Sequence, residues 1–134
     1  MATIWEKQQQ IIEDLSELTD WEDKFQYLIE LGENLPPYPD QKRTQEYLVP
    51  GCQARVWVTS NLENGELQFL ADSDTALTKG LIAILIQVFS GHSPEEIKNA
   101  SLEFLETVGL GKFLSISRRN GLYSMVQKIQ SFAK

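Results

Sequence analysis

Apolar and polar positions change their period along this chain, and each change marks an element. From Ile4 to Leu18 the apolar residues Ile4, Ile11, Ile12, Leu15 and Leu18 fall at broken helical spacing with glutamines between them, which predicts an N-terminal helix. Thr19 followed by Glu22 offers a capping box, and Trp21, Phe25, Leu28 and Ile29 then share one face of a second helix until Gly32. Pro36, Pro37 and Pro39 cannot continue a helix, so residues 33–44 read as a surface loop. The period then drops to two. Val56 and Val58 alternate with Arg55, Trp57 and Thr59 in a strand that runs to Leu62, and Leu67, Phe69 and Ala71 share one face of a second strand starting at Glu66. Asn64-Gly65 between them suits a type I′ turn, whose two central residues need positive φ, so an antiparallel hairpin over about 55–71 is expected.

Beyond the hairpin the helical period returns. Ser73 or Asp74 can cap a helix carrying Leu77, Leu81, Leu85, Val88 and Phe89, with Gly91 at its end, and apolar residues on most sides predict a central position. Ser93-Pro94-Glu95-Glu96 starts a short helix with a cap, a proline at the first position and an acid at the third. A weaker segment spans Leu102 to Val108 and ends in Gly109 and Gly111. A last helix is expected near Gly121, with Leu122, Met125, Val126, Ile129 and Phe132 facing the core. Helices on both sides of a short antiparallel sheet, without strand–helix alternation, define an α+β class, read as one domain over 1–134.

Composition narrows the function. Twelve Lys and Arg stand against 19 Asp and Glu, a net charge of −7, and a field of that sign repels nucleic acid and anionic lipid. The longest apolar run, Leu81 to Ile86, is far shorter than the ~20 residues that span a bilayer. No basic-then-apolar leader opens the sequence, so a cytoplasmic protein is expected, or one of the plastid stroma if the chain is a processed organelle protein. Cysteine content changes the picture most. The single Cys52 forms no internal disulfide, and with the single His92 it cannot supply a four-ligand zinc site. Either Cys52 is buried as a small apolar residue or it reacts.

Cys52 lies between a loop and the first strand, after Pro50, which stiffens the approach, and Gly51, which permits a turn. The segment Leu48-Val49-Pro50-Gly51-Cys52-Gln53-Ala54-Arg55-Val56-Trp57-Val58 resembles the motif of the SufE family of sulfur-acceptor proteins, which includes the paralogue CsdE. Further landmarks follow in the same order: Trp21 to Phe25 with Leu28 to Gly32, then Asp72-Ser73-Asp74, Lys79-Gly80-Leu81, and Ser117-Arg118 with Asn120-Gly121-Leu122. The resemblance runs from about Trp21 to the C-terminus. It implies that Cys52 receives sulfur as a persulfide from a PLP-dependent cysteine desulfurase of the SufS or CsdA kind, stimulates that enzyme, and delivers the sulfur to an iron–sulfur scaffold of the SufBCD kind. It implies no cofactor on this chain, since the PLP belongs to the desulfurase, no independent turnover, and a monomer or homodimer.

A positive charge near the thiol would favour the thiolate, and Arg55, Arg118 and Arg119 are candidates. Arg118 matches the family's Ser-Arg motif, whereas Arg119 departs from the small or polar residue expected after it. Gly51, Asp74 and Lys79 join Arg118 as thiol-environment or partner-contact residues by the same resemblance. Each has a plainer reading: Asp74 as a helix cap, Lys79-Gly80 as close helix packing, the arginines as solvated charges. Trp57 reads as sheet packing, and His92 as a helix-terminus residue without a role. A cluster scaffold of the IscU type needs three cysteine ligands, which the count rules out. An interaction module with an inert, buried cysteine is the remaining alternative.

Overall fold

The computed structural model describes residues 2–52, 54–107 and 115–133. Two helices open it, α1 (Ile4–Ser16) and α2 (Trp21–Glu33). A reciprocal capping box starts α1: the Glu6 amide donates to Thr3 Oγ1 at 3.1 Å and the Thr3 amide to Glu6 Oε1 at 3.0 Å. At α2 the expected cap moves by one residue. Asp20, not Thr19, precedes the first helical residue, and its carboxylate accepts the Asp23 amide at 2.9 Å, a position where negative charge also meets the positive end of the helix dipole.

The proline-rich stretch is a surface loop with two single 3₁₀ turns, Asp40–Lys42 and Gln45–Tyr47. Arg43 ties it to the sheet. Its guanidinium lies over the Tyr38 ring at 5.3 Å and the Trp57 ring at 5.4 Å, and it pairs with Asp40 at 2.9 Å and Asp72 at 2.5 Å. The hairpin follows as β1 (Val56–Glu63) and β2 (Glu66–Ser73), paired from Val56 opposite Ser73 to Glu63 opposite Glu66. Asn64 and Gly65 take φ of 53° and 81° in the turn, as a type I′ connection requires.

The central helix is α3 (Ala76–Phe89), in which Gly80 through Ile86, Val88 and Phe89 are all buried. Helices α1 and α2, strand β2 and the last helix pack around it, which explains why its sequence is apolar on nearly every side. Its cap is Thr75, whose Oγ1 accepts the Thr78 amide at 3.4 Å, and not Ser73 or Asp74. Gly80 is where α2 crosses: a Cβ there would lie 2.3 Å from the Leu28 carbonyl oxygen.

Ser93 caps the short α4 (Pro94–Lys98) with a full capping box, and α5 (Phe104–Thr107) follows. Val108, Gly109 and Gly111, where that segment was expected to end, lie outside the described residues. The last helix, α6 (Ile116–Ser131), starts one turn earlier than expected, with Ser115 Oγ accepting the Arg118 amide at 3.2 Å. Residues 116–120 are all exposed, so no apolar periodicity announces the first turn. His92 is buried on the far edge of β2, where its carbonyl accepts the Leu67 amide at 2.8 Å.

Candidate functional site

Cys52 sits in a short loop whose base is closed twice. The Val49 amide donates to the Val56 carbonyl at 2.8 Å, with Leu48 bridging antiparallel to Trp57 just outside it. Arg55 and Asp74 then exchange hydrogen bonds: the Arg55 amide donates to Asp74 Oδ1 at 3.0 Å and the Asp74 amide to the Arg55 carbonyl at 3.2 Å. Gly51 has φ of 83°, a conformation that side chains with a Cβ resist, and it lies against Ser124 of α6. The loop thus has a fixed base and a turn at its tip, and the thiol is directed onto α6.

There Cys52 is half-buried, and its Sγ donates to the Gly121 carbonyl at 3.6 Å. It lines a cleft of about 290 Å³ with buried Leu81 and Met125 as apolar wall and Asp74, Thr75, Ser117 and Arg118 among the polar lining. Thr75 is the cap of α3, and Ser117 and Arg118 lie in the first turn of α6. The first residues of two helices thus contribute to the lining, with the Arg118 guanidinium and the Asp74 carboxylate on the same cleft. Burial pushes the Cys52 thiol up from its ordinary value. Desolvation of the thiolate is the effect that sets the direction.

The candidate residues divide accordingly. Arg118 and Asp74 share the cleft with Cys52, whereas Arg55 and Arg119 do not line it. Asp74 serves the loop through Arg55 rather than capping α3. Lys79 lies elsewhere: its ammonium pairs with Asp72 at 3.4 Å, in the network of Arg43. Gly121, Thr78 and Met125 were not singled out as site residues from sequence: Gly121 stood near the expected start of the last helix, Met125 read as core, and Thr78 carried no signal. The signal available for Gly121 was its place in the Asn120-Gly121-Leu122 landmark. Among the described residues, no three His, Cys, Asp or Glu side chains gather as a metal site.

A half-buried single thiol on a strapped loop, seated against α6 beside a cleft of an α+β domain, is the chemical centre of this site. Similar proteins identify the family. The SufE family, described as the Fe-S metabolism associated domain, matches residues 9–133. A SufE-like protein of Rhizobium meliloti (strain 1021) is 42% identical over 130 residues, covering 93% of this chain and 93% of that protein. Another, of Rhizobium etli, is 42% identical over 130 residues, covering 93% of this chain and 88% of its own. The solution structure of a hypothetical protein from Thermus thermophilus superposes with a TM-score of 0.79 at 24% identity, over 95% of this chain and 93% of that one, and supports the fold alone. This chain belongs to the SufE family, and its association is with iron–sulfur metabolism.

Proposed function

We propose that this protein is a sulfur acceptor that carries a persulfide on Cys52 between a cysteine desulfurase and an iron–sulfur scaffold. The observation that carries the reading is the placement of the only cysteine of a SufE-family chain at a cleft, half-buried, on a loop held at its base. In the transfer, the Cys52 sulfur attacks the outer sulfur of the donor's persulfide. A new S–S bond forms on Cys52, the donor's S–S bond breaks, and the donor leaves as a thiolate that takes up the proton Cys52 has lost. No net oxidation occurs, and no other reactant is needed. A persulfide is anionic more readily than a thiol, and Arg118 on the same cleft suits that charge.

Exposed Ile116 and Tyr123 lie on α6, whose Ser117, Arg118 and Gly121 line the cleft, and they offer an apolar contact for the donor enzyme. A raised thiol value means that the resting sulfur is protonated and slow, so docking of the donor would have to free it. Incubation with a cysteine desulfurase, PLP and L-cysteine, followed by intact-mass spectrometry, tests the proposal. The expected result is a reductant-sensitive gain of one sulfur on the wild type and none on Cys52→Ser. A wild type that gains nothing from active cognate desulfurases, or a Cys52→Ser variant that gains as much, would overturn it.

A further inference from the structure

Glycine is the poorest helix residue after proline, yet Gly121 occupies the buried interior of the 16-residue α6. Its backbone is helical, so freedom to adopt positive φ does not explain it. Neither does helix crossing. Beyond its chain neighbours and its own helix backbone, a Cβ placed on Gly121 would meet, among the described residues, two atoms within 4 Å, and both belong to Cys52: Sγ at 3.3 Å and Cβ at 4.0 Å. The Gly121 carbonyl also accepts the thiol, using the lone pair left over after the helical hydrogen bond.

We infer that Gly121 is the positioning residue of Cys52: its missing side chain makes the space, and its carbonyl the acceptor, that together seat the sulfur against α6 in the resting protein. The significance of this seat for transfer rests on the sulfur-acceptor reading, but the seat itself does not. Sγ within it is shielded by the helix and held by its proton, so the thiol is stored in its unreactive form. An alanine at 121 would press a methyl group into the sulfur at a separation tighter than ordinary contact. The Cys52 side chain, the smaller and more mobile partner, would turn outward.

Alkylation by iodoacetamide as a function of pH, with no desulfurase present, reads the seat directly. Gly121→Ala is expected to move the midpoint of the Cys52 alkylation profile toward the ordinary cysteine value of about 8.5 and to raise the rate at neutral pH by about threefold or more. A profile unchanged from wild type would overturn the inference. Thermal unfolding supplies a second readout. In the Cys52→Ala background, where no sulfur is crowded, Gly121→Ala should raise the Tm, as alanine does inside a helix, whereas with Cys52 present it should not. An equal rise in both backgrounds would show that Cys52 does not need the glycine, and would also overturn it. Should Gly121→Ala fail to fold, rescue by Cys52→Ala would support the seat and absence of rescue would refute it. None of these results depends on sulfur transfer, so failure of the mass-spectrometric test above would leave them standing.

Discussion

Arg55 and Asp74 exchange backbone amides in opposite directions, one toward a carboxylate at 3.0 Å and the other toward a carbonyl at 3.2 Å. The pair joins the start of β1 to the end of β2 and closes the cysteine loop on the side away from Val49. Its geometry gives Asp74 a job that the pattern Ser-Asp before a helix did not suggest, since Thr75 fills the capping position one residue later.

Asp74→Ala removes the carboxylate acceptor and leaves the Arg55 amide to water. Because the site is exposed, the expected loss of stability is only about 1 kcal/mol. Hydrogen exchange over residues 50–55 and alkylation of Cys52 should both accelerate. Rates equal to wild type would mean that the Val49–Val56 pair closes the loop unaided.

The Cys52 thiol makes stability depend on alkaline pH. Folding raises its value by burial, so the folded chain holds the proton that the unfolded chain loses above about 8.5. The contribution is fully present below that pH and is lost as pH rises through the folded value. Urea unfolding of wild type and Cys52→Ala should show a stability difference that shifts against the wild type above about pH 8.5; parallel curves would contradict the burial argument.

On the acid side the sensitive group is Asp72. Burial pushes its carboxyl up, but hydrogen bonds from Arg43 and the Ser73 amide, with the charge of Lys79, more than offset this and hold it below the usual carboxylate range. A depressed carboxyl stabilises above its unfolded value, near 4, and stops doing so as pH falls through the folded one. Asp72→Asn should therefore cost stability at neutral pH, and the gap from wild type should shrink in acid. A gap independent of pH would assign the cost to packing rather than charge.

Gly80→Ala should destabilise the fold by about 1–3 kcal/mol although alanine is the better helix residue, because the added Cβ would collide with the Leu28 carbonyl. Denaturant titration checks the magnitude. A stabilised variant would show that α2 can move away from α3 without loss.

Local structure was largely legible in the sequence. The Asn64-Gly65 turn, the alternation of Val56 and Val58, and the apolar girth of α3 follow short-range rules, and they appear where those rules place them. Helix beginnings were less legible. Asp20 and Thr75 won their caps from neighbours one or two residues away, and the polar first turn of α6 carries no apolar period to detect. At the site, Cys52 and Gly51 could be identified from one segment, and Arg118 and Asp74, which share the cleft, from the family resemblance. The contacts among them could not. Gly121 lies 69 residues from Cys52, and Lys79 was separated from the thiol by the Asp72 pairing, which depends on how the sheet and α3 meet. Such relationships arise only once the chain has folded.

A two-stranded sheet has two open edges, and open edges invite pairing with another copy. Here both are occupied near the core. On β2 the Leu67 amide and carbonyl are bonded to His92 and Gly91, and the Phe69 amide to Ser90 Oγ. On β1 the segment Leu48–Val49 takes the place of a third strand beside Val56 and Trp57. The end left projecting is the turn, with Glu63 and Glu66 facing each other across it, and like charges there oppose strand addition by a second chain. The same segment that leads into the cysteine loop thus covers part of an edge that would otherwise be open to strand addition.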